Sequence, residues 1–221
     1  APPAAKPEAG PAGTPPESKP NPPFMQRFES PPPQLFDLEL AAGATYPAII
    51  KKDWSQVQSG LLRLQETWNQ ALPLVGEKKG VKEASQGLSK LSEAVGRQNP
   101  KQTYESLNEF MGSISEIGQS YKISPLSDII LIGTQIRNVN YYVEDNDWGK
   151  ARSKVKELEN TWKQVRPSLE TVGIFGEVTK THSAVVQLVD AVNAENKAAV
   201  KEHVTNLNES MGLIRDFFRN R

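Results

Sequence analysis

The sequence predicts an all-α protein: a tandem duplication of a four-helix antiparallel unit, about eight helices in all, preceded by a Pro-rich disordered tether. Three observations carry this expectation. Residues 53–73 (DWSQVQSGLLRLQETWNQALP) return as 147–167 (DWGKARSKVKELENTWKQVRP) at a constant offset of 94. Apolar residues recur in steps of three and four from Gln34 to the end, which places one stripe on one side of each helix. And 12 of the 17 prolines stand within residues 1–33.

Residues 1–33, the linker, carry Ala, Gly, Glu, Ser and Lys between the prolines. Such a segment buries too little apolar surface to offset its ordering entropy, so it reads as an extended polyproline-like tether. Phe24, Met25 and Phe28 are its large apolar residues, suited to docking on the domain.

The first repeat unit spans 34–121. Leu35, Leu38, Ala42, Tyr46 and Ile49 outline a first helix, disturbed near Gly43 and Pro47. The second runs over about 53–72. Asp53 is a good N-cap, Trp54, Val57, Leu61, Leu64 and Trp68 form its stripe, and Pro73 is expected to end it. Val81, Ala84, Leu88, Leu91 and Val95 mark the third helix, closing at Gly96. Asn99-Pro100 makes a cap and first-turn proline for a fourth helix with Tyr104, Leu107, Met111, Ile114 and Ile117.

The second unit, 122–221, restarts the pattern. Ser124-Pro125 reads as another cap and first-turn pair, followed by Ile129, Ile132, Ile136, Val139 and Val143. Asp147 opens the second tryptophan helix, and Pro167 should close it. Phe175, Val178, Val185, Val189 and Val192 form a third stripe, and Val200, Val204, Leu207, Met211, Ile214 and Phe218 a fourth. The repeat extends beyond the tryptophans: 88–99 aligns with 185–196 at offset 97, and 107–114 with 207–214 at offset 100. Short connections imply antiparallel neighbours. The units form either two bundles in series or one layered array. All four tryptophans read as core, with each indole N–H finding a partner near a helix end.

Composition bounds the function. Lys plus Arg and Asp plus Glu number 26 each, so no bulk field favours nucleic acid. No apolar run is long enough for a transmembrane helix. The absence of cysteine excludes disulfides and thiolate chemistry within this sequence. The Gly-x-Ser-x-Gly elbow, the P-loop and HExxH are missing, as is the Glu-x-x-His pair of di-iron bundles. The chain therefore reads as no enzyme, with no catalytic residue, no metal site and no cofactor.

Few residues offer themselves for binding. Asn108-Glu109 recurs as Asn208-Glu209 in the fourth helix of each unit. This pair either fixes register across a bundle or lines two pseudo-equivalent sites. Arg137 could reach an acidic residue of another helix or an anionic ligand between the units. His182 reads as a hydrogen-bonded residue at the core edge, and Met111 and Met211 as gap fillers. Lys150, Arg152, Lys154 and Lys156 lie among glutamates on a solvated face.

With its Pro-rich leader, its duplication and its DW…TW…P helices, the chain resembles uncharacterised bacterial lipoproteins with helical-bundle domains. The GxHxxE motif of the imelysin-like iron-associated family is absent. The lipoprotein resemblance implies an extracytoplasmic, cell-envelope location, with the membrane reached only through a lost N-terminal lipid anchor. The expected function is an exported, membrane-tethered, non-enzymatic binding or scaffolding module whose partner is an unknown protein or small ligand. The alternative is a small-ligand or metal sensor or carrier, with a pocket between helices or between the repeat units.

Overall fold

A computed structural model describes residues 3–4 and 29–221. Phe24, Met25, Phe28 and nearly all of the expected tether lie outside the described residues. Among the described residues there are eight α-helices and no strand. They are α1 (Pro33–Ile50), α2 (Trp54–Val75), α3 (Val81–Gly96), α4 (Pro100–Gly118), α5 (Leu126–Glu144), α6 (Trp148–Glu170), α7 (Phe175–Asn193) and α8 (Lys197–Arg219).

One tight connection is used four times. After α1, α3, α5 and α7, a residue with positive φ (Lys52, Gln98, Asn146 and Glu195) reverses the chain. The next residue returns its N–H to a carbonyl near the helix end: Asp53 to Ala48, Asn99 to Ala94, Asp147 to Tyr142 and Asn196 to Ala191. This is a Schellman closure. The same Asp or Asn then caps the following helix, its side-chain oxygen accepting from the N–H of Gln56, Gln102, Lys150 or Ala199 at 3.0–3.3 Å. One short polar side chain thus joins the end of one helix to the start of the next. The Asn196 cap matches Asn99 at offset 97 and was equally open to reading.

Three sequence expectations need correction. Pro73 and Pro167 lie inside α2 and α6, which run on to Val75 and Glu170. Each proline removes one N–H, but the carbonyls so freed belong to the exposed Asn69 and Lys163, where water can serve them. Ser124 is not the N-cap of α5. Pro125 takes that position, and the Ser124 hydroxyl accepts from the Leu126 N–H at 3.3 Å. Phe175, placed on a buried stripe, is 61% exposed, because it is the first residue of α7 and projects past the core edge.

The buried apolar residues of both repeats belong to one cluster. Trp68 and Trp162 are sealed within it, while Trp54 and Trp148 pack against its edge. The two sealed indoles are bonded alike: Trp68 Nε1 donates to Ser85 Oγ at 3.1 Å, and Trp162 Nε1 to His182 Nδ1 at 3.2 Å. Ser85 and His182 are repeat equivalents at offset 97.

Helices α1 and α5, α4 and α5, and α5 and α8 pack together at the centre, with α1 also against α4. The outer helices α2, α3, α6 and α7 complete the two halves. Tyr46 Oη donates to Asn140 Oδ1 at 2.9 Å, and these two residues are 94 apart, the repeat offset itself. A residue that touches its own equivalent lies on a pseudo-twofold axis. That axis passes between α1 and α5.

Candidate ligand-binding site

A pseudo-twofold axis generates two equivalent junctions between the halves: α4 against α5, and α8 against α1. The first is well packed and the second much less so. Side-chain size explains the difference.

At the α4–α5 junction Tyr104 stacks on Tyr141, with ring centroids 4.0 Å apart and planes 2° from parallel. Tyr46 tilts against Tyr104 at 5.9 Å. Asn138 Oδ1 accepts both the Tyr104 hydroxyl and Asn108 Nδ2, the latter at 3.0 Å. Burial pushes the Tyr104 hydroxyl up to about 12 and raises that of Tyr46 further. Both stay protonated donors at neutral pH, which suits their amide acceptors.

The repeat equivalents of Tyr104, Tyr141, Tyr46, Asn138 and Asn108 are Val204, Pro47, Asn140, Ala44 and Asn208, by offsets of 100 and 94. No aromatic ring survives among them. All five line a cleft of about 810 Å³ bounded by α1, α5 and α8. The volume is that of an ordinary small-molecule site. The cleft is therefore the space that the aromatic plug fills on the other side of the axis.

Its walls are mixed. Leu40 and Leu213, 49% and 47% exposed, stand at its apolar edge together with Ile50 and Pro47. Gly43 lines it too, and a Cβ added there meets nothing within 4 Å. Pro47 has no N–H, so it leaves the Gly43 carbonyl without its α-helical donor. Four acidic residues (Glu39, Glu144, Glu209, Asp216) and four basic ones (Lys51, Arg137, Lys201, Arg215) line the cleft, so net charge selects neither an anion nor a cation.

Glu39 and Arg137 form the inner polar wall. Arg137 donates from both terminal nitrogens to the Glu39 carboxylate, at 2.7 and 3.2 Å, and also to Thr134 Oγ1 at 3.2 Å. The side chains are almost fully buried. Burial raises the Glu39 carboxyl above its usual range, against the opposing pull of Arg137 and, more weakly, Arg215. Arg137 Nε is buried with no hydrogen-bond partner among the described residues.

Of the residues singled out from sequence, Arg137, Asn208 and Glu209 line the cleft. Asn108 and Glu109 do not. Asn108 is held by Asn138 in the filled junction, and Glu109 takes an exposed ion pair from Lys90 at 2.9 Å. Identity of sequence thus concealed a difference of surroundings. Sequence reasoning passed over Glu39, Ala44 and Asn140, and took Pro47 only as a disturbance of the first helix. The signal that could have found them was the alignment of α1 with α5 at offset 94, where conspicuously unlike residues face each other.

Among the described residues no group of three or more His, Asp or Glu side chains is placed to hold a metal ion. His182 is engaged through Nδ1 with Trp162, and His203 Nδ1 is buried without a partner among the described residues. No helix among the described residues is long and apolar enough to cross a membrane. No family model matches the chain, and neither the curated proteins nor the solved structures yield a match.

Proposed function

We propose that this protein is a non-enzymatic binding protein for a small amphipathic molecule, which enters the cleft between α1, α5 and α8. The observation that supports it is the unequal pair of junctions. Two equivalent interfaces arise from one duplication, and among the described residues only one is plugged by side chains. A packed interior is the default for a folded chain, so a cleft of about 810 Å³ lined by both repeats is a feature to be explained. Apolar residues at one edge and the Glu39–Arg137 fork at another suit a ligand with an apolar body and a hydrogen-bonding head.

The test is a thermal-melting screen of the full chain against a broad panel of small metabolites, beside the variant Gly43→Phe. The added ring would occupy the open space in front of Gly43. A ligand at a hundred times its Kd adds about 2.7 kcal/mol, which should raise the midpoint of a chain this size by roughly 5–10 °C. The shift should vanish in Gly43→Phe. A panel that shifts neither protein, or both equally, would overturn the proposal.

The proposal extends to place. The proline-rich composition of residues 1–33 suits a spacer that holds the binding module away from a membrane anchor in the cell envelope. Fractionation of the source cells followed by intact-mass measurement tests it. Recovery of lipid-modified protein from the envelope is expected, and recovery of unlipidated protein from the cytoplasm would refute this part.

A further inference from the structure

We infer that the ligand of the α1–α5–α8 cleft is a planar aromatic molecule bearing a ring hydroxyl; this deepens the binding role proposed above and rests on it. The filled junction shows what the scaffold accommodates at these backbone positions. There the occupant is the Tyr104 phenol, one face against Tyr141 and its hydroxyl on Asn138. In the open junction the corresponding ring is gone, because Val204 replaces Tyr104 and Pro47 replaces Tyr141.

One of the two asparagines that meet at that phenol remains. Asn208 keeps the amide that its equivalent Asn108 directs at Asn138, but Ala44 has replaced the asparagine opposite. Its amide therefore lacks the partner that the other half supplies. A phenolic hydroxyl both donates and accepts, so it can meet either end of that amide. Asn140 also lines the cleft, with its oxygen taken by Tyr46, and so offers its NH2 group. Tyr46 itself borders the cleft, giving an incoming ring an aromatic neighbour of the kind Tyr104 has in the other half. Leu40 and Leu213 at the edge would cover the apolar rim of the ring.

The test compares phenol with cyclohexanol, which carries the same hydroxyl on a saturated, non-planar ring, in ligand-observed NMR titrations of the full chain. Decanoate serves as a straight-chain amphiphile. Phenol should bind about fivefold or more tightly than cyclohexanol, the ratio expected of one aromatic contact. The variant Val204→Tyr restores the missing ring and should abolish phenol binding; Gly43→Phe serves the same purpose should Val204→Tyr not fold. Equal binding of phenol and cyclohexanol, or preferential plug-sensitive binding of decanoate, would overturn the aromatic inference and leave the binding site standing. Failure of all three probes, or binding that neither plug affects, would overturn both.

Discussion

Arg137 grips Glu39 across the pseudo-twofold axis, while the repeat equivalents of these two residues, Gly43 and Gly133, have no side chains at all. One diagonal of the α1–α5 crossing is an ion pair and the other is a pair of glycines. The arrangement is sterically necessary on one side. A Cβ at Gly133 would lie 1.7 Å from a Glu39 carboxylate oxygen. On the other side Gly43 borders the cleft, so the asymmetry that seats the ion pair also helps keep the site open.

Removing one member of this pair leaves a buried charge without its partner. Arg137→Ala should cost about 3–5 kcal/mol of stability, read from urea unfolding. Replacing both Glu39 and Arg137 by methionine should recover most of that loss, because no charge is then left buried. A single variant as stable as the wild type would show that the fork is not under the strain of burial.

Trp68 and Trp162 sit at equivalent positions, 2% and 1% exposed, with equivalent indole partners. Each alanine variant should lose about 3–5 kcal/mol, and the two losses should be similar. Urea midpoints near that of the wild type for both would contradict the core placement.

The tyrosine plug makes the protein sensitive to alkali. Tyr104 is pushed up to about 12, chiefly by burial, and Tyr46 higher still. A phenol whose folded value lies above its unfolded 10.0 contributes stability that is complete below 10.0 and is lost as pH rises through the folded value. Stability should therefore fall steadily above pH 10. Tyrosinate absorbance of the folded chain should lag behind that of the urea-unfolded chain. In Tyr104→Phe the alkaline loss should be smaller, and an unchanged pH profile would contradict the assignment.

The fold was legible because its determinants repeat. Asp53 and Asp147, Trp68 and Trp162, and Asn108 and Asn208 are identical between the copies, and their periodicity fixes the helices. The helix ends were less so. Proline at 73 or 167 costs little when the carbonyl it frees faces water, and sequence alone does not say which carbonyls do. The cleft was hardest to see. It arises where the copies differ, as Val204 for Tyr104 and Pro47 for Tyr141, and a search for shared residues passes over such positions. Arg137 is legible as a charge able to reach an acidic residue of another helix, but its partner Glu39 stands 98 residues away.

In the proposed role one junction binds and its equivalent does not. The most direct measurement is a nitrogen-15 NMR titration of the full chain with the best ligand of the melting screen, following the side-chain amides of four asparagines. Asn140 and Asn208, which line the cleft, should shift with the ligand. Asn108 and Asn138, which are bonded to one another in the filled junction, should stay where they are. Shifts confined to Asn108 and Asn138, or spread equally over all four, would refute binding at the α1–α5–α8 cleft.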